Sequence, residues 1–150
     1  MSKDAIIVPL QASSKSEALE AVLARACESD LVVNCSDVRK AVLDRERQLS
    51  TGVGHGLAIP HARTDAVSGT IAVMGILAEP IDYDSLDSRP VRLMLLLVGP
   101  RNDTSRHIRI LSRVSRLMSD DDAMMRLLAA DDAEEAFAFV CDLESALLAE

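Results

Sequence analysis

Three histidines, His55, His61 and His107, are all that the 150-residue chain contains, and two of them bracket its most unusual stretch. Residues 50–56 read STGVGHG, and Pro60 immediately precedes His61. An imidazole titrates near neutrality, so its neutral ring offers a nucleophilic nitrogen under cellular conditions. Pro60 restricts the backbone just before His61. Gly52, Gly54 and Gly56 keep the preceding surface low enough for another protein to approach. In an extended segment the even spacing would put His55 and His61 on one face. Most lone histidines are satisfied or merely exposed side chains, and this setting is what separates His61 from them. A competing reading is a zinc site built from His55, His61 and His107, although no HExxH or CxxC pattern accompanies them. Asp82, Asp84, Asp87 and the run Asp120, Asp121, Asp122 read as loop and helix-cap residues. No nucleophile elbow and no phosphate-binding P-loop occur, so no nucleotide and no other cofactor is expected.

The elements that must position these residues follow from periodicity and punctuation. Residues 5–10 (AIIVPL) read as an edge strand broken by Pro9. Ser14 and Glu17 have capping-box spacing, opening a helix to about residue 28 with Leu19, Val22, Leu23 and Cys27 on one side. A second helix is expected from about Ser36 or Asp37 to about Arg47, with Val38, Val42 and Leu43 as its stripe. Residues 71–77 and 91–98 are nearly continuous apolar runs, the pattern of strands covered on both faces. An acidic loop, 79–90, lies between them. Asp103 is placed as the N-cap of a helix carrying His107, Leu111, Val114 and Met118. A short helix is expected from 120–122 to 130. A last one from about Asp132 carries Ala136, Val140, Leu143 and Leu147. The order predicts an α/β fold, a three-layer-type sandwich with a mixed central β-sheet flanked by helices, in one domain spanning 1–150.

Composition narrows the partners. Hydrophobic residues make up 49% and charged residues 27%, whereas aromatics are only 2%, so aliphatic side chains must fill the core. The formal net charge of −8 repels phosphate backbones, which argues against nucleic acid. No apolar run is long enough to span a bilayer, and no signal-peptide pattern opens the chain. Cys27, Cys35 and Cys141 are odd in number and fit no metal or disulfide framework. They are expected to be reduced thiols in a cytoplasmic protein.

The segment Glu46, Val53-Gly54, Leu57-Ala58-Ile59-Pro60-His61-Ala62 resembles the active-site signature of enzyme IIA of the mannitol/fructose class of the bacterial phosphoenolpyruvate-dependent phosphotransferase system, the PTS. It is similar also to the nitrogen-regulatory, PtsN-like branch. Arg45-Glu46, Ser50-Thr51-Gly52, Glu79-Pro80-Ile81, Pro90-Val91 and His107 extend the resemblance over nearly the whole chain.

The resemblance implies an EIIA type-2 phosphotransferase with a mannitol-specific enzyme IIA-like fold. Such a protein takes phosphate from HPr or an HPr-like phosphocarrier onto His61, at Nε2. Sugar-transporting members pass it to a cysteine of a IIB protein or domain; regulatory members use the phosphorylation state as a signal to a target protein. It also implies Arg45 as the cation near the phosphohistidine and His107 as the second histidine of the site. The start of a helix suits that role, because free N–H groups favour an anion. Ser50 and Thr51 are candidate phosphate-supporting donors. His55 departs from the class, and an exposed, tolerated position is favoured over a third imidazole at the phosphate. Arg63 follows the motif as a basic residue without an assigned role. Partners are expected to dock on a low surface around Val53 and Leu57, steered by acidic residues at the rim that attract a basic protein.

Overall fold

The computed structural model describes residues 2–148, with side chains described as far as residue 145. Helix α1, Lys15–Ala26, begins where Ser14 accepts the Glu17 N–H at 3.2 Å. The Glu17 carboxylate reaches back one residue beyond the expected partner, to the N–H and hydroxyl of Ser13. Helix α2, Cys35–Gln48, starts slightly earlier than the sequence suggests, because Asn34 caps it by accepting the Asp37 N–H at 3.1 Å.

The expectation of three free thiols is corrected here. Cys27, the C-cap of α1, and Cys35, the first residue of α2, form a disulfide with their Cα atoms 5.6 Å apart. The turn between the helices brings one helix end beside the next helix start, a proximity that cysteine spacing alone does not reveal. Cys141 is a free cysteine.

Six strands form one mixed sheet: β1 (Ile6–Leu10), β2 (Gly52–Gly54), β3 (Leu57–Ala58), β4 (His61–Arg63), β5 (Ile71–Ile81) and β6 (Val91–Gly99). Strand β1 lies at one edge, parallel to β5, and its pairing slips around Pro9, which has no N–H to donate. Strands β5 and β6 are antiparallel and central. Strands β3 and β4 run one after the other along the far side of β6, both parallel to it, with Leu57 opposite Leu93 and His61 opposite Leu97. Between them Pro60 contributes its carbonyl, which accepts the Leu97 N–H at 3.0 Å.

Two expectations shift. Strand β5 continues to Ile81, so the acidic connection is 82–90 and not 79–90. The glycine-rich stretch is a hairpin between β2 and β3, turning at His55 and Gly56 with φ of 57° and 79°. Positive φ at both central residues matches the twist of the flanking strands, and glycine adopts it without strain.

Beyond β6 come α3 (Thr104–Met118), α4 (Asp121–Leu128) and α5 (Ala133–Leu148). Asp103 occupies the N-cap of α3, but its side chain makes no capping bond; its backbone oxygen accepts the His107 N–H at 3.2 Å. Asp120 does cap α4 by accepting the Asp122 N–H. Leu147, expected on the stripe of α5, lies outside the described side chains.

Alternation along the two central strands sends side chains to opposite faces. Val73, Leu77, Met94 and Leu96 pack with Val22, Leu23, Val38 and Val42 of α1 and α2. Met74, Ile76, Leu93 and Leu95 pack with Leu127, Ala136 and Val140 of α4 and α5. Each fully buried leucine contributes about 2 kcal/mol, so both layers hold the sheet whose far end carries His61. The result is the helix-flanked three-layer sandwich that the sequence predicts. Among the described residues no helix is long and apolar enough to cross a membrane.

Candidate functional site

Strand β4 places His61 half-exposed at the sheet end. Its Nδ1 lies 2.8 Å from the carbonyl oxygen of Ile59. A carbonyl can only accept, so Nδ1 carries the proton and Nε2 keeps its lone pair. The backbone thereby fixes both the tautomer and the ring orientation.

His107 faces it from the start of α3. The two ring centroids are 5.8 Å apart and the planes are tilted by 49°. His107 is 5% exposed, and its Nδ1 is buried without a hydrogen-bond partner. An orphaned lone pair costs less than an orphaned N–H, so the ring is read with its proton on Nε2, the atom left to meet a ligand. Burial depresses the His107 pKa, and the charges of His61 and Arg63 push it the same way, so the ring is neutral near pH 7.

Arg63 lies two residues beyond His61 on β4 and therefore on the same face. Its guanidinium donates to the hydroxyl of Thr104, the first residue of α3. This places an exposed cation beside both histidines, a role that the sequence left unassigned. The alternation along β4 was the signal available for it.

The other expected residues divide. Arg45, half-buried near the end of α2, donates from Nη1 to the Leu49 carbonyl at 3.0 Å. No hydrogen bond or ion pair joins it to either histidine among the described residues. Thr51 is buried, and its hydroxyl donates to Glu46 at 2.5 Å. The Ser50 hydroxyl donates to the Tyr83 carbonyl at 3.1 Å and accepts the Gly52 N–H. Both hydroxyl protons are thus committed within the protein, so neither residue is free to donate to a phosphate. They brace the hairpin that leads to His61.

Their hub is Glu46, a member of the signature whose role sequence reasoning missed. Buried to 7% exposure, its carboxylate accepts the Thr51 N–H at 3.0 Å and pairs with Lys15 Nζ at 2.9 Å. Lys15 also sits over the Tyr83 ring, 4.5 Å from its centroid. Burial, with the nearby Glu46 charge, holds the Tyr83 phenol well above its ordinary value, so it stays protonated. One buried cluster thus ties together α1, α2, the approach to β2 and the 82–90 loop.

His55 does not join the histidine pair. The chain reverses at His55, so the expectation that His55 and His61 share a face is overturned. His55 is exposed, and its N–H bonds the Asp87 carboxylate at 3.0 Å. Among the described residues no group of three or more His, Cys, Asp or Glu could hold a metal ion, so the three-histidine zinc set is not formed.

Exposed charges of both signs surround the site: Asp82, Asp84 and Asp87 lie in the loop beside the hairpin, whereas the α3 side carries Arg63, Arg101, Arg106 and Arg109, with Arg101 paired to Asp65. Val53, at 47% exposure, remains available on the hairpin as expected, whereas Leu57 is buried.

Comparison with known proteins gives this geometry its context. Residues 1–142 match the family described as phosphoenolpyruvate-dependent sugar phosphotransferase system, EIIA 2. A nitrogen regulatory protein of Bradyrhizobium diazoefficiens is 34% identical over 134 residues, covering 89% of this chain and 87% of that protein. The fructose-specific EIIA component of the PTS of Haloferax volcanii is 35% identical over 122 residues, covering 81% and 79%. The crystal structure of nitrogen regulatory protein IIA-Ntr from Neisseria meningitidis superposes with a TM-score of 0.84 at 30% identity, covering 92% of this chain and 94% of that one. With its mixed sheet, its helix layers and nearly its whole length matched, the chain belongs to the EIIA type-2 family of the phosphoenolpyruvate-dependent phosphotransferase system.

Proposed function

We propose that this protein is a single-domain, cytoplasmic phosphocarrier that accepts a phosphoryl group on Nε2 of His61 from HPr or an HPr-like protein. The observation that carries this reading is the hydrogen bond from His61 Nδ1 to the Ile59 carbonyl. It leaves Nε2 of the half-exposed His61 unprotonated, with a lone pair able to attack phosphorus in line. The P–N bond to the donor histidine breaks as the bond to Nε2 forms, and the electron pair of the broken bond stays on the donor ring. A loose transition state asks the protein mainly for alignment and for cations around the equatorial oxygens. Arg63 and the Nε2–H of His107 are the groups beside His61 that meet that need. Arg45 joins them if it leaves the Leu49 carbonyl. No nucleotide or metal is required.

The phosphoryl group then either moves to a IIB-type cysteine or remains as a signal read by a target protein. Both outputs are named among the relatives, as a sugar-specific component and as nitrogen regulatory proteins. Adding about two negative charges to an exposed ring is enough to make or break an interface.

The test is transfer from phosphoenolpyruvate through enzyme I and HPr to the wild type and to His61→Ala. Acid-labile label on the wild type alone is expected. Label on both proteins would move the chemistry to His55 or His107. Label on neither, with HPr itself charged, would end the carrier reading. A IIB-type acceptor added to the labelled protein separates the two outputs.

A further inference from the structure

Helix α3 is basic in an acidic protein. Between Thr104 and Met118 it carries Arg106, Arg109, Arg113 and Arg116 and no carboxylate, while the whole chain has a net charge of −8. The spacing of three, four and three residues lines the arginines up on one side of the helix. All are exposed, and Arg106, Arg109 and Arg113 have no intramolecular partner among the described residues.

Beneath this stripe lies an open groove of about 430 Å³ between α3 and α5. Met74, Leu95 and Leu97 line its sheet side, Val114, Leu117 and Leu143 line its walls, and Arg106 and Arg113 stand on its lip with one carboxylate, Glu144. The helix does not fill the groove: α3 is buried only at His107 and Met118, near its two ends, and Val114 and Leu117 are half-buried. One end of the groove opens beside the histidine pair. Leu97 is the β-sheet partner of His61, and Thr70, another lining residue, lies at the Gly99 position against which His107 packs. An apolar cleft whose lip has two arginines to one carboxylate, backed by the rest of the α3 stripe, matches a segment that is apolar on one side and acidic on the other.

We propose that the α3–α5 groove docks an acidic, amphipathic segment of the protein that delivers phosphate to His61. This rests on the phosphocarrier reading and adds the chemistry of the partner's surface. The segment's apolar side chains enter the groove, and its carboxylates meet Arg106 and Arg113 on the lip and Arg109 on the adjoining outer side of α3. An anionic bilayer is the weaker match. A flat surface cannot reach a recessed floor, and the molecule's net negative charge opposes it.

The experiment uses the full chain, its Arg109→Glu/Arg113→Glu double variant and the unphosphorylated HPr-type protein of the source organism. Amide shifts locate binding, and transfer rates are followed over a range of ionic strength. Shifts should fall on β5, β6, α3 and α5 along the groove. The wild-type rate should drop about tenfold from low to physiological salt, because opposite charges steer the encounter. The double variant should lose about tenfold at low salt and most of its salt dependence. An unchanged or faster rate in the variant overturns the proposal, as do shifts confined to the hairpin around Val53. Binding to vesicles of equal parts phosphatidylcholine and phosphatidylserine, with none to the protein, also overturns it. Groove shifts sensitive to the double variant without label on His61 would sink the carrier reading and keep the groove. Label on His61 without groove shifts would do the reverse, and absence of both would remove the two together.

Discussion

A Cβ atom on Gly99 would stand 3.2 Å from Nδ1 of His107 and 3.6 Å from Oγ1 of Thr70. The imidazole therefore rests against a backbone position where even a methyl group is too close, and glycine at the end of β6 sets how near His107 approaches His61. Gly99→Ala should push the ring outward by a few tenths of an ångström. Misplacement on that scale is expected to slow phosphoryl acceptance by roughly tenfold, and overpacking should cost on the order of 1 kcal/mol. Transfer kinetics measured beside urea unfolding test this. A normal rate together with a displaced His107 resonance would show that the second histidine is not needed in place.

Stability should depend on pH through His107. Its folded pKa is lowered from the ordinary 6.5, chiefly by burial. Below about pH 6.5 the unfolded chain therefore holds a proton that the folded chain does not, and stability rises with pH across that window. The contribution is present above the unfolded value and is lost as pH falls through it. Glu17, Asp44 and Asp87 are also lowered, by hydrogen bonds from Ser13, Lys40 and Arg89 respectively. They act in the same sense, but only near their own ordinary values of 4.5 and 3.8. Urea midpoints between about pH 7.5 and about pH 5.5 should decline in the wild type and decline less in His107→Asn. Identical slopes would mean that His107 takes up its proton without leaving its site.

Local signals carried much of this fold. Apolar runs announced β5 and β6, and Ser14 marked α1. What depended on tertiary contact was less visible. STGVGHG does not by itself say that the chain turns back at His55, where the φ is 57° and the N–H is held by Asp87 of a distant loop. Thr51 and Glu46 are five residues apart in sequence, and their pairing becomes apparent only when Lys15 and Tyr83, from distant segments, complete the cluster. His61 was legible because its chemistry depends on near neighbours, Ile59 and Pro60. Arg45 was read from a family position, and its present bond to the Leu49 carbonyl is a detail of the C-terminal turn of α2.

The Cys27–Cys35 bridge closes a short loop, with a sequence separation of 8. That loop lies against the chain just beyond β4, where Val33 and Ser68 donate to the carbonyls of Ala66 and Leu31 at 2.7 and 2.8 Å. Closing a loop of this length restricts the unfolded chain by about 2–3 kcal/mol. Cys27→Ser/Cys35→Ser should lose that much in denaturant unfolding. It should keep its transfer rate, because the bridge touches neither histidine. Mass measurement of alkylated, unreduced protein should find Cys141 as the only labelled thiol. Labelling at all three cysteines of the folded protein would remove the bridge from the account.

Arg63 and Arg45 make opposing claims to the phosphate. Arg63 shares a strand face with His61, and its charge adds to the lowering of the His107 pKa that burial chiefly causes. Arg45 is engaged at the end of its own helix. Arg63→Ala should therefore slow transfer to His61 by about 100-fold, the usual effect of losing one donor to a developing oxyanion, and Arg63→Lys should restore part of it. The same substitution removes a positive charge facing His107, so the pKa of that ring should rise when followed by NMR. A purely structural role at Thr104 would not predict both changes. Arg45→Ala should cost less in rate and show mainly as a looser end of α2. If Arg45→Ala proves the more damaging, its guanidinium must leave the Leu49 carbonyl to reach the phosphate.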